Sequence, residues 1–156
     1  MPDSKKATSA KSEKDSATPM IGSLLRLPRE YVVARMLTEV NQQGFDVTDT
    51  ELGVFMYPGP DGRRPIDLAR QCNMTRQAMN YVLAGLERRG YIARGAGSES
   101  TARGVWLTDR GRDMFVLMRN CVGTIEQEWT AYLGAQRFNA LRETLNDLSM
   151  WLGKVG

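Results

Sequence analysis

One stretch, Asn73-Met-Thr-Arg-Gln-Ala-Met-Asn-Tyr-Val-Leu-Ala-Gly-Leu-Glu-Arg-Arg-Gly-Tyr-Ile-Ala-Arg94, limits the possible folds more than any other. Thr75 suits a helix N-cap, because its hydroxyl accepts from a free backbone N–H one turn on. Met79, Val82, Leu83 and Leu86 then recur at i, i+3, i+4 and i+7, which makes a single apolar stripe. Gln77, Asn80, Tyr81 and Ala84 take the opposite side, with Arg76 on the flank of the first turn. Gly90 ends the helix, since glycine adopts the left-handed conformation required at a C-terminus. Tyr91–Arg94 follows as a short strand.

The polar side of this helix is chemically selective. A face that only meets solvent usually carries Lys and Glu. Here Gln and Asn, which pair bidentately with adenine, stand beside Arg, which pairs with guanine, close to a helix N-terminus that favours phosphate. The plain alternative is a surface helix packed on a small core with arbitrary polar residues outside. Charge favours recognition. The net charge is only +3, but residues 63–112 hold ten arginines against four acids, a local excess of +6. Arginine is the cation suited to phosphate and guanine contacts.

Several function classes drop out. The chain has 156 residues, enough for one domain and a tail. No apolar run is long enough to span a bilayer and the first residues lack a signal-like apolar region, so a cytoplasmic protein is expected. There is no histidine, which removes the commonest general base, the usual metal ligand and the near-neutral pH switch. No acidic pair has suggestive spacing, so neither an enzyme nor a metal or cofactor is expected. Cys72 and Cys121 are not in a Cys-x-x-Cys pair and fall on apolar helix faces, which predicts buried free thiols.

Residues 1–19 are polar and small, without an aliphatic larger than Ala after Met1, and predict a disordered tail. Residues 20–43 predict a helix with Val33, Met36, Leu37 and Val40 as its stripe, and with Pro28 as a break or first-turn residue. Thr48 or Thr50 caps a second helix to about Met56, burying Leu52 and Phe55. Pro58-Gly-Pro-Asp-Gly62 is a turn-forming loop. Pro65 opens a third helix with Leu68, Ala69 and Cys72 inward. A three-residue turn joins it to the Thr75 helix, which makes a helix-turn-helix. Tyr91–Arg94 and Gly104–Leu107 form a hairpin, a wing, whose Gly-rich tip is flanked by Arg94 and Arg103. Thr108 caps a long helix to about Tyr132. Phe115, Met118, Val122, Ile125, Trp129 and Tyr132 on that helix, and Phe138, Leu141, Leu145, Leu148 and Leu152 on the last, repeat at three and four like a heptad seam and predict a helical dimer interface.

The run Leu68-Ala-Arg70, Met74–Tyr81, Leu86–Ile92 and Leu107-Thr-Asp-Arg-Gly-Arg112 resembles the MarR family of winged-helix transcriptional regulators, and Leu133–Leu145 is similar to that family's last helix. The resemblance covers roughly residues 20–152. It implies a mainly α fold with a small β-wing: a winged helix-turn-helix lobe at about 46–108, and a helical dimerisation region formed by the N- and C-terminal helices at about 20–44 and 109–152. It also implies that Thr75, Arg76, Gln77, Asn80 and Tyr81 face DNA and that Arg103 is the wing arginine. Arg94 joins them as a candidate contact. The family's usual Asp-x-Arg-Arg-like wing is here Glu99-Ser-Thr-Ala-Arg103, so its stiffening Asp–Arg pair is not evident.

The expected function is therefore a sequence-specific DNA-binding regulator: a homodimeric repressor of a palindromic operator. By analogy with the family, a small aromatic or phenolic ligand releases it. Tyr31, Tyr57, Trp106 and Arg35 are candidates to line the cleft, without assignment of an effector site. The alternative is a winged helix used as a protein-interaction module without DNA binding. The expected partners are double-stranded DNA, a second copy of the chain and a small-molecule effector.

Overall fold

The computed structural model describes residues 19–56, 59–95 and 104–155. Six helices and one two-stranded sheet follow in chain order: α1 (Ile21–Gln42), α2 (Asp49–Phe55), α3 (Pro65–Gln71), α4 (Arg76–Arg88), β1 (Ile92–Arg94), β2 (Val105–Leu107), α5 (Asp109–Leu133) and α6 (Ala135–Val155). The predicted tail falls outside the described residues up to position 18.

The local chemistry explains the boundaries. Thr48 caps α2 through a full capping box: its hydroxyl accepts from the Glu51 N–H at 3.3 Å and the Glu51 carboxylate accepts from the Thr48 N–H at 3.0 Å. Pro65 occupies the first position of α3, where its missing N–H costs nothing. Thr75 caps α4 and Thr108 caps α5, each accepting from a backbone N–H three residues on at 3.1 Å. Helix α4 closes in a Schellman arrangement. Gly90, at φ +76°, donates to the Glu87 carbonyl, and the Tyr91 N–H donates to the Leu86 carbonyl.

One core joins most of these elements. Met36 and Val40 of α1 meet Leu52, Val54 and Phe55 of α2, Leu68 and Ala69 of α3, the α4 stripe Met79, Val82, Leu83 and Leu86, and Met114, Met118, Cys121 and Ile125 of α5. The hairpin closes it: β1 and β2 are antiparallel with Ile92 opposite Leu107 and Arg94 opposite Val105.

Three expectations change. Helix α1 neither breaks nor starts at Pro28; it runs through it from Ile21. Leu24 and Pro28 are both exposed, so the carbonyl that loses its intrahelical donor stays open to water. Part of the α5 seam also packs on the chain's own core: Met118 and Ile125 are buried there beside Met114 and Cys121, and Phe115, Val122 and Trp129 lie partly buried against it, while Tyr132 at the far end is 87% exposed. The loop before α3 is more than a turn. Asp61 and Arg63 bridge to Val105, so the loop lies along the free side of β2. Gly62, at φ +73°, lets the chain pass beneath Trp106, whose ring would stand 3.2 Å from an added Cβ.

Among the described residues, two apolar faces are left without cover. Met20, Ile21, Leu24, Leu25 and Leu27 at the start of α1 are exposed, and so are Leu141, Leu145, Leu148, Trp151 and Leu152 on α6, where Phe138 is the one buried hydrophobic residue among those described.

Candidate nucleic-acid interface

The turn before α4 is shaped by Asn73, whose φ is +52°, a left-handed value that asparagine tolerates better than most residues. The turn directs the first turn of α4 outward. Thr75, Arg76, Gln77, Asn80 and Tyr81 are all exposed, Tyr81 at 83%, while the stripe one side over is wholly buried. Exposing a large aromatic ring to this degree at the centre of a polar helix face has no packing return. Arg88 continues the same outer line, at i+11 from Gln77 and i+7 from Tyr81, and it too is exposed. The helical spacing alone would have revealed Arg88, which the sequence reading passed over.

The arginine excess does not all reach this surface. Arg89 turns inward at the end of α4 and donates to the Gly85 carbonyl at 3.0 Å, to the Asp46 carbonyl at 2.6 Å and to the Glu51 carboxylate. Burial, the largest single cause, would raise the Glu51 carboxyl; the Arg89 guanidinium together with the Thr48 N–H and hydroxyl outweighs it and holds Glu51 below the usual carboxylate range. Arg110 lies over the rings of Phe45 and Tyr91, at 5.5 and 5.3 Å, and donates to the Gly44 carbonyl. Arg112 donates to the Leu107 carbonyl at 2.7 Å and to Asp109 at 2.6 Å. Arg94 sits at the root of the wing, 3.3 Å from the Glu87 carboxylate, and donates to the Asn80 carbonyl at 3.2 Å. It thus ties β1 to α4 and is half-buried. Arg103 lies outside the described residues. Among the described residues, Arg63, Arg76 and Arg88 have no ion-pair partner, and Arg70 keeps a loose one 3.7 Å away.

The knot formed by Arg89, Tyr91 and Arg110 fixes α4 against the helical frame. The Tyr91 hydroxyl accepts from the Asp46 N–H at 2.8 Å, and the Thr108 hydroxyl donates to the Gly90 carbonyl at 2.5 Å. The α1–α2 loop, the end of α4 and the start of α5 are therefore tied together.

Of the residues expected at a cleft, Tyr31 and Arg35 engage α5. Arg35 pairs bidentately with Glu128 at 2.5 and 2.8 Å and donates to the Tyr31 hydroxyl at 2.8 Å, while Tyr31 packs on Trp129. These residues fasten α1 to α5. Trp106 covers Gly62, and Tyr57 is outside the described residues. A separate cavity of about 820 Å³ opens between α1, the end of α2, α5 and α6, lined by Val32, Met36, Phe55, Phe115, Met118 and Val122, with Arg119, Arg142 and Glu126 on its polar side. Arg142 stands 3.3 Å from Glu126. Cys72 is half-buried at the end of α3, not fully inward as expected, and burial pushes its thiol up. Cys121 is buried as expected. No group of metal-ligating side chains occurs among the described residues, and no described helix is long and apolar enough to cross a membrane.

Comparison with known proteins agrees with this geometry. The model of the MarR family matches residues 45–104. The structure is similar to the MarR family protein Rv2887 of Mycobacterium tuberculosis in complex with p-aminosalicylic acid, at 27% identity and a TM-score of 0.60, over 84% of this chain and 99% of that one. It is similar to the transcriptional regulator PA4135 at 28% identity and a TM-score of 0.63, over 85% and 98%. The complex of Rv2887 with DNA shares the fold at 24% identity and a TM-score of 0.62, over 84% and 98%. No curated protein matches the chain by sequence. Residues 45–104 thus match the MarR family model, and the described residues share the fold of solved MarR family regulators.

Proposed function

We propose that this chain is a homodimeric, sequence-specific DNA-binding transcriptional regulator, a repressor that a small apolar anion releases from a palindromic operator. The observation that carries the reading is the outer face of α4. Gln77, Asn80, Tyr81, Arg76 and Arg88 are exposed together on one rigid helix, while the neighbouring arginines are consumed in holding that helix in place. Gln77, Asn80 and Arg76 read base edges, Arg88 and Thr75 meet phosphate, and Arg103 reaches the adjacent groove from the wing tip. Arg94 acts indirectly, by setting the wing on α4. The lobe spans about 46–108 and the pairing helices about 20–44 and 109–152. The uncovered apolar faces of α1 and α6 support pairing, and two-fold symmetry places the recognition helices about 34–36 Å apart, one turn of B-DNA.

The cavity beside α5 supports release by a ligand. Its walls are apolar and its polar side carries two arginines and one glutamate, which suits an apolar body with one negative group. The ligand weakens DNA binding only as far as it prefers a lobe spacing that misfits the operator.

The test is a titration of operator duplex, selected from a random pool, at several salt concentrations. Gln77→Ala or Asn80→Ala should reduce discrimination between the selected and altered sites by roughly 1–3 kcal/mol per lost base contact, with the salt slope unchanged. Arg103→Ala should weaken binding and flatten that slope. If the pool yields no bound sequence at low salt, the polar face of α4 belongs to a protein partner instead.

A further inference from the structure

Helix α3 carries an arrangement that the contacts above leave unused. Asp67, in its first turn, accepts from Arg64 at both carboxylate oxygens, at 2.7 and 3.1 Å, and Arg70 stands 3.7 Å away on the next turn. The two arginine side chains are 65% and 75% exposed, whereas the carboxylate between them is only 22% exposed. The hydrogen bond from Arg64 holds the Asp67 carboxyl below its usual range, and Arg70 and Arg63 add to the effect through their charge. One aspartate thus pairs with two arginines, Arg64 closely and Arg70 more loosely, and lies in the field of Arg63. In a helix-turn-helix protein the first helix of the motif crosses the DNA backbone. Arg64 at the N-cap of α3 and Arg70 near its end are therefore placed for phosphates and not for bases.

We infer that Asp67 sets sequence discrimination by occupying Arg64 and Arg70, which would otherwise engage the DNA backbone whatever its sequence; the inference rests on the DNA-binding reading above. Each phosphate contact adds affinity without sequence content. Specificity is a ratio of operator to random binding, so suppressing two indiscriminate contacts raises it even though total affinity falls.

The test compares Asp67→Asn with Asp109→Asn. Asp109 also sits in the first turn of a helix and pairs with an arginine three residues on, Arg112 at 2.6 Å, so its replacement makes the same change in charge away from α3. Binding to a random-sequence duplex and to the selected operator is measured against salt. Asp67→Asn should bind random duplex about three- to tenfold more tightly at low salt, with a salt slope steeper by about one to two, and its operator-to-random ratio should fall. Asp109→Asn should match the wild type. Adding Arg64→Gln and Arg70→Gln to Asp67→Asn should restore wild-type random binding. An aspartate that only stabilised α3 would, when replaced, lower the melting temperature and leave random binding unchanged or weaker. That result, with the wild type still selecting an operator, overturns the inference and leaves the DNA-binding reading standing. If the wild type binds no duplex, both fall. If Asp67→Asn fails to fold, Arg64→Gln/Arg70→Gln in the wild-type background decides: little change in random binding supports occupation by Asp67, and a fall of tenfold or more overturns it.

Discussion

A Cβ on Gly111 would lie 1.9 Å from the Tyr91 carbonyl oxygen, a distance no rearrangement of a flexible side chain relieves, because the obstacle is backbone. Gly111→Ala should therefore cost stability at the upper end of overpacking effects, about 3 kcal/mol, read as a lower urea midpoint. DNA affinity should fall with it, since the same contact seats the end of α4 on α5. Little of this was legible in the sequence. Gly111 stood in the run Leu107–Arg112 as one residue of a resemblance, with no sign of the carbonyl it must clear. The arginines divide in the same way. Arg76 and Gln77 were readable because helical spacing alone puts them on the outer face. The inward turn of Arg89 and Arg94 was not, because their partners Glu51, Asp46, Asn80 and Glu87 lie 7 to 43 positions away or offer only a backbone carbonyl.

At the scale of elements, α2 and α4 are joined by the Glu51–Arg89 pair, whose side chains are 12% and 26% exposed. Because the folded state holds the Glu51 carboxyl below its usual range, the pair contributes stability that is fully present above the ordinary carboxylate pKa and lost as pH falls through the lowered one. The urea midpoint of the wild type should drop between neutral and strongly acidic pH by more than that of Glu51→Gln, and the two curves should converge at the acid end. Equal slopes would remove this pair from the acid response. Helices were the most legible elements, since α4 and α5 carry the Thr caps and stripes that periodicity reveals. Helix α1 was harder, because its apolar residues change sides. Ile21, Leu24 and Leu25 lie on one face and Met36, Val40 and Val33 on another, so no single stripe runs its length and Pro28 looks like a boundary. The bridge from Asp61 and Arg63 to Val105 was hidden by a run of Pro and Gly that reads only as a turn.

For the whole molecule, the shift of face along α1 separates two kinds of packing. The second half of α1 is committed to the core of its own chain, and the first half, together with α6, stays exposed, which is where the proposed pairing would fall. Leu145→Glu places a charge in that α6 face without touching the core and should convert the dimer to monomer in sedimentation. Operator affinity should fall at least tenfold, while the melting of the lobe changes little. A variant that stays dimeric would move the seam elsewhere on the molecule. Among the described side chains of α6, Phe138 is the one buried hydrophobic anchor, so the rest of that face depends on the proposed second copy for cover. On the proposed pairing, when chains are scarce the supply of competent binders falls with the square of their concentration, so a cell that halves expression of the chain loses about three quarters of its binding form.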